Sequence, residues 1–338
     1  MPAEEDWMRN NDLAVEVRGV RKAFGDVVAL NDISFEVGRG EVIGLLGPNG
    51  AGKTTMVDIL STLTRPDAGS AHVAGYDVVA QPAGVRRSIM VTGQQVAVDD
   101  GLTGEQNLVL FGRLYGLRKS RARQRAQELL DQFGLTYAGK RLVRTYSGGM
   151  RRRIDIACGL VVEPQVAFLD EPTTGLDPRS RQAIWDLVTS FKKLGIATLL
   201  TTQYLEEADA LSDRIILIDH GKIIADGTAN ELKHRAGDTF CEIVPRHLKD
   251  LDATVAALGS LLPEHNRAMV TSESDRITMP APDGTRTLIE AARKIDEANI
   301  ELADIALRRP SLDDVFLSMT TDPSEAHVLS HVASGAML

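Results

Sequence analysis

The chain has 338 residues, 43% hydrophobic and 25% charged, with 38 Lys and Arg against 47 Asp and Glu and a net charge of −9. That length predicts a large core domain with a smaller second one, and the composition excludes collagenous and disordered classes. The acidic balance argues against unspecific nucleic-acid binding, which draws its affinity from Lys and Arg on phosphates.

Residues 1–12 are acidic, lack the basic-then-apolar layout of a signal peptide, and are expected to be a loose tail. From 13 to 235, Val- and Ile-rich runs alternate with amphipathic segments of helical length, the pattern of an α/β fold with parallel strands and crossover helices. Strands are predicted over 13–18, 33–37, 42–46, 166–169, 196–202 and 214–219, and helices over 53–63, 178–193 and 205–212. No apolar run approaches the roughly 20 residues of a membrane helix.

The strand signal fades over about 95–161, where periodic segments at 104–115 and 120–133 predict a helical subdomain. Its basic run Arg118-Lys119-Ser120-Arg121-Ala122-Arg123 reads as a solvated helix face rather than an anion site. After Gly227 the composition shifts, and 236–320 reads as a small α+β domain. The expected order is strand, helix at 250–262, two short strands around 280–284, helix at 286–298, strand at 300–307 and a final helix, a split βαβ unit suited to docking or dimerising. Within it, Leu312, Val315 and Phe316 at helical spacing either dock the domain or cap its core. Residues 321–338 are expected to be a mobile tail. Cys158 and Cys241 fit no CxxC or metal-ligand spacing and read as isolated thiols of a reducing compartment, which favours the cytoplasm.

The chemistry is concentrated in three places. Gly47-Pro48-Asn49-Gly50-Ala51-Gly52-Lys53-Thr54, with Thr55 after it, matches GxxxxGK[ST] between a strand and a helix. The glycines turn the backbone so that N–H groups face a phosphate, Lys53 reaches the β- and γ-phosphates, and Thr54 offers a hydroxyl to Mg²⁺. By average composition such a string arises in roughly one chain of this length in a hundred, too rarely to be an ordinary glycine turn. A second apolar strand ends in Asp170-Glu171. There Asp170 would hold Mg²⁺ and Glu171 would polarise the water that attacks the γ-phosphate, although such an ending alone is more often a capped strand end. The third place, Ser147-Gly148-Gly149-Met150, opens a helical run.

Together these resemble an ABC ATPase, a P-loop NTPase with Walker A, Q-loop, signature, Walker B, D-loop and H-loop in that order. Ser147-Gly148-Gly149 resembles the signature, with Tyr146 and Met150 in place of the usual Leu and Gln. Gln94 fills the Q-loop, where the resemblance implies a metal and γ-phosphate sensor. Leu102-Thr103 and Glu105-Gln106-Asn107-Leu108 follow as the LT-x-x-E-N-L stretch. Asp177 fills the D-loop, which touches the opposite subunit in that family. Phe24 stands where the family stacks an aromatic ring on adenine, although a lone Phe is more often core. At the H-loop, Gln203 replaces histidine within Thr201-Thr202-Gln203-Tyr204. With Val91-Thr92-Gly93-Gln94 and the terminal Arg309-Pro310-Ser311-Leu312-Asp313-Asp314-Val315-Phe316-Leu317, this is similar to the daunorubicin-resistance (DrrA) branch.

The resemblance, over about residues 13–319, implies an ATPase at the cytoplasmic face of the membrane, using ATP and Mg²⁺. It further implies pairing with a second copy of itself and with a separate ABC-2 type permease, and export of a drug, antibiotic or complex lipid. The 96–117 insert and the Gln94 loop are then the expected permease contact. A soluble ABC ATPase acting on ribosomes or DNA is the rival, but it usually has two ATPase domains or long inserted coiled coils. A P-loop GTPase would need an Asn-Lys-x-Asp guanine reader, which is absent.

Overall fold

The structure, a computed structural model, describes residues 13–93, 96–236, 239–259, 261, 271–273, 275–312 and 315–316. The expectations for both tails, for Gln94 and for Asp313, Asp314 and Leu317 lie outside them. The chain divides into two compact units, Met1–Ala229 and Asn230–Leu338.

In the first unit the strands are β1 Leu13–Phe24, β2 Val27–Gly38, β3 Val42–Leu46, β4 Ala68–Val73, β5 Tyr76–Asp77, β6 Ile89–Thr92, β7 Val166–Asp170, β8 Ala197–Thr202, β9 Arg214–Asp219 and β10 Lys222–Gly227. The helices are α1 Lys53–Leu60, α2 Pro82–Ser88, α3 Gly104–Leu114, α4 Lys119–Gln132, α5 Gly148–Gly159, α6 Pro178–Lys193 and α7 Leu205–Leu211. The next helix, α8 Ala229–Ala236, begins at the division.

Six strands form one sheet in the order β10-β9-β3-β8-β7-β6, parallel except for the β9–β10 hairpin. Every residue of β3, β7 and β8 is buried, as parallel strands covered on both faces require. Alternate residues serve two different cores. Ile43, Leu45, Val166 and Phe168 pack with Met56, Ile59 and Leu60 of α1, while Val42, Ala167 and Leu169 pack with Leu108, Leu129, Leu130 and Ile154 of the helical subdomain. The period of two along a strand sends neighbours to opposite faces, so one sheet divides the two cores.

The reading of the early strands as parallel needs correction at β1 and β2. β1 and β2 pair antiparallel, and with β4 and β5 they make a separate sheet in the order β2-β1-β4-β5. This second sheet closes the α1 core with Val15, Val17, Ile33 and Phe35. In the helical subdomain, Thr103 caps α3 through a capping box with Gln106. The buried Asn107 amide accepts the Asp99 N–H and donates to Asp99 O and Thr103 O. The basic run starts the solvated helix α4, where Arg121 and Arg125 pair with Glu128 of the same helix.

The second unit contains β11 Phe240–Pro245, α9 Leu251–Gly259, β12 Thr271–Glu273, β13 Arg276–Pro280, α10 Thr285–Glu297 and β14 Leu302–Arg308. That order, with all pairings antiparallel in a β12-β13-β11-β14 sheet, is a ferredoxin-like arrangement. Its short middle strands lie over 271–280 instead of around 280–284. Cys241, Ile243, Ile277 and Met279 meet Leu258, Ala291 and Ile295 in its core. On β11, β13 and β14, Glu242 is paired with Arg276 and Arg308. Cys158 and Cys241 are both buried and free, and burial pushes both thiols above their ordinary range. Among the described residues, no helix is long and apolar enough to cross a membrane.

Candidate nucleotide site

Three parallel strands end side by side: Leu46 of β3 is in register with Thr202 of β8, and Asp170 of β7 with Thr201. Their loops therefore converge at the carboxyl edge of the sheet, where α/β folds bind ligands. There, a cleft of about 510 Å³ is lined by Val27, Ala29, Asn49, Gly50, Gly52, Lys53, Thr54, Thr55, Glu171, Thr174 and Gln203.

The loop from Gly47 to Gly52 wraps against β2 and opens α1. Gly52 has φ +108°, and a Cβ there would stand 2.4 Å from the Ala29 carbonyl oxygen, so no other residue fits without displacing backbone. Lys53 is buried, and its ammonium donates to the carbonyl oxygens of Gly47 at 2.7 Å and Pro48 at 3.0 Å. An ammonium has three donors, which leaves one for an anion entering the cleft. Burial pushes its pKa down, against the pull of Glu171 and Asp170.

Asp170 is buried and accepts from two hydroxyls, Thr54 Oγ1 at 3.1 Å and Thr201 Oγ1. Thr54 and Asp170 are thus already together, one hydroxyl and one carboxylate beside the place a phosphate would take. That is the sparse oxygen donor set with which Mg²⁺ is held alongside substrate phosphates.

Glu171 follows in the left-handed region at φ +48°. For a residue with a side chain this costs on the order of 1–3 kcal/mol and persists only where the surroundings impose it. Here its N–H donates to both the carbonyl and the hydroxyl oxygen of Thr201, each at 3.1 Å. Its Oε2 accepts from Thr174 Oγ1 at 3.3 Å, and its Oε1 stands 3.9 Å from the Lys53 ammonium.

Ser147, Gly148, Gly149 and Asp177 are not among the residues lining this cleft; Gly148 lines a neighbouring cavity that also includes Glu171, Thr174 and Arg152. Ser147 caps α5, its Oγ accepting the Met150 N–H at 3.3 Å, and both Ser147 and Gly148 are exposed. Gly149 sits against α6, where a Cβ would stand 2.2 Å from Ser180 Oγ. Asp177 caps α6 by accepting from the Ser180 N–H and hydroxyl, contacts that hold its carboxyl below the usual range. The departures at the signature edge have a packing reason. Tyr146 is buried with its hydroxyl on Ala138 O at 2.8 Å, and Met150 lies against the Tyr137 hydroxyl. Phe24 is exposed, with the Lys22 ammonium over its ring, and is not among the cleft-lining residues.

Sequence reasoning left three contributors unassigned: Thr201, which braces both acids, Thr174 on Glu171, and Arg152. Arg152 and Asp155 stand three apart on one helix, a spacing at which opposite charges meet, and that was the available signal.

Residues 30–174 match the ABC transporter family. The chain is 83% identical over 331 residues to the Doxorubicin resistance ATP-binding protein DrrA of Mycobacterium tuberculosis, a match that spans 97% of this chain and 99% of that protein. It is 52% identical over 313 residues to the Daunorubicin resistance ATP-binding protein DrrA3 of Streptomyces coeruleorubidus, spanning 92% of this chain and 97% of that one. A solved ATP-binding subunit of an ABC transporter superposes with a TM-score of 0.60 and 29% identity, covering 66% of this chain and 92% of that one. The fold, the phosphate loop beside its two acids, and this kinship agree: the chain belongs to the ABC transporter family, as an ATP-binding ATPase subunit of the DrrA group.

Proposed function

We propose that the chain hydrolyses ATP in a sandwich of two copies and drives export of an amphipathic drug through a separate ABC-2 type permease. The observation that carries this reading is that the exposed start of α5, with Ser147 and Gly148, is not part of the cleft's lining. Lys53, Thr54, Glu171 and Gln203 line the cleft and Asp170 is bonded to Thr54, while the N-terminus of α5, with Ser147 and Gly148, is exposed. A helix N-terminus and a serine hydroxyl suit an anion. Two copies related by a two-fold axis would each present this edge to the other's nucleotide.

In this reading the backbone of residues 47–55 and Lys53 hold the phosphates, and Phe24, in the β1–β2 hairpin whose Val27 and Ala29 line the cleft, would meet the base. Thr54 and Asp170, with Gln94, would hold Mg²⁺, which when bound neutralises developing charge on the phosphates. Glu171 accepts a proton from the attacking water. Gln203 holds a hydrogen bond to the γ-phosphate without titrating. Asp177 meets the partner copy.

The drug-resistance names of the relatives support an anthracycline-like substrate. Export places the subunit at the cytoplasmic face of the membrane, where the 96–117 segment meets the permease. The test is drug accumulation in cells lacking the gene. Restoring the chain with its permease lowers accumulation of a fluorescent anthracycline, and Glu171→Gln restores none of that effect. Equal accumulation with and without the chain would contradict the assignment.

A further inference from the structure

Arg152 lies in the middle of α5, yet it is buried rather than solvated. Its guanidinium spends its donors on backbone. Nε donates to Pro172 O at 2.9 Å, Nη2 to Asp170 O at 3.2 Å, and Nη1 to Gly93 O at 2.8 Å. The first two acceptors are the carbonyls of the residues immediately before and after Glu171. A planar fork of fixed geometry grips two points of a chain in a way a lysine cannot.

Asp155, also buried, stands one turn further along α5 with its Oδ2 3.5 Å from Arg152 Nη1, while its Oδ1 accepts the Ala97 N–H at 2.8 Å. A buried ion pair is weak evidence for stability, because desolvation offsets the attraction. What distinguishes this pair is what it holds. Glu171 sits in a backbone conformation that its surroundings must impose. The Thr201 contacts fix only its N–H side, whereas Arg152 fixes the carbonyls on both sides of it.

We propose that Arg152, itself held by Asp155, is a positioning residue for hydrolysis that keeps the segment from Asp170 to Pro172 in the shape that aims Glu171 into the cleft. This rests on the reading of Glu171 as the hydrolytic base. Arg152 does not line the nucleotide cleft, so its loss leaves nucleotide binding in place and slows the chemical step.

The test uses the full chain co-purified with its membrane partner, measuring ATP turnover against ATP concentration together with thermal unfolding. Arg152→Lys, which keeps the charge but loses the fork, is expected to lower kcat by about 10- to 100-fold, the scale of a misplacement near 1 Å, with the KM for ATP within about twofold of the parent. Asp155→Asn keeps an acceptor for Ala97 and loses only the charge. It is expected to fold and to lower kcat by a few-fold at unchanged KM. In single-turnover measurements on a Glu171→Gln background, Arg152→Lys should slow hydrolysis no further, because the acid it positions is gone.

Parental kcat in Asp155→Asn and in a folded Arg152→Lys overturns the proposal. So does a multiplicative loss in the double variant, or a fall in active fraction and melting temperature that accounts for the whole loss. If Glu171→Gln itself turns over like the parent, the base assignment fails and the proposal with it; if that variant is inactive while Arg152→Lys is normal, only the positioning role fails.

Discussion

The phosphate-loop cleft and the signature edge are both built at a helix N-terminus, yet the chain treats them in opposite ways. At the cleft, α1 opens with a buried lysine tied to its own loop, and the neighbouring acids are braced by Thr54, Thr174 and Thr201. At the signature, α5 opens with an exposed Ser147 whose hydroxyl caps its own helix. In the proposed reading, preorganisation within the chain marks the side that binds and cleaves, and exposure marks the side that meets the second copy. The signature edge is nonetheless not loose, since Gly149 packs on Ser180 and Arg152 ties the same helix to the backbone around Glu171.

The largest effect that could break this contrast is loss of the cleft's cation. Lys53→Ala removes the one donor left for phosphate, a charge-assisted contact of about 3 kcal/mol at most, together with the two bonds that hold the loop at Gly47 and Pro48, about 1.5 kcal/mol each, so kcat/KM should fall roughly 10⁴-fold. Nucleotide titration and turnover measure it, and near-parental values would place the site elsewhere. Next, Glu171→Gln should keep ATP binding while slowing hydrolysis about 10³-fold, within the range for loss of a general base. Light scattering with ATP and Mg²⁺ then shows a dimer, and a monomer throughout would count against the sandwich. Gln203→Ala should cost about 10²-fold, the scale of one transition-state donor, while Gln203→His retains substantial activity. Equal rates in parent and alanine variant would make Gln203 a bystander.

The smallest effect concerns stability. Glu207 is buried on α7, where it accepts the Trp185 indole N–H at 3.2 Å. Burial raises its pKa against the Trp185 bond and the charge of Arg181. A raised carboxyl binds its proton more tightly in the folded state. Its stability contribution is therefore present at acid pH and lost as pH rises through the folded pKa. Glu207→Gln should remove that dependence. Its melting temperature relative to the parent climbs from pH 4 to pH 8, by a few degrees, and a constant difference would refute the assignment.

What the amino-acid pattern revealed follows from how local each signal is. β3, β9 and α6 lie over the residues expected because buried parallel strands are continuous apolar runs and α6 carries Asp177, Pro178 and terminal lysines as boundary marks. β4 was missed because Ala68-Gly69-Ser70-Ala71-His72-Val73 has few residues of high β-propensity and owes its strand to pairing with β1. The assignment of β1 and β2 to a second sheet is likewise a matter of pairing, which no single run encodes. At the site, Lys53 and Thr54 were legible from motif spacing, whereas Thr201 reads as an ordinary β-branched strand residue until register places it beside Asp170. Arg152 was hidden for the opposite reason: one Arg among three in a row on a helix looks solvated, and only its burial and its four partners show otherwise.

The central claim, that one edge of each copy completes the cleft of the other, is tested most directly by mixing two inactive variants. Lys53→Ala disables the cleft and leaves the signature edge intact. Gly148→Asp places a carboxylate where the opposite nucleotide's phosphate would lie. Its Cβ meets nothing closer than Leu176 at 4.0 Å, so the fold is undisturbed. In a mixed dimer, one of the two composite sites pairs an intact cleft with an intact edge. The account predicts that each variant alone is inactive and that an equal mixture with the permease regains up to about a quarter of parental ATP turnover, from half the dimers carrying one good site in two. A mixture no more active than its components would contradict it.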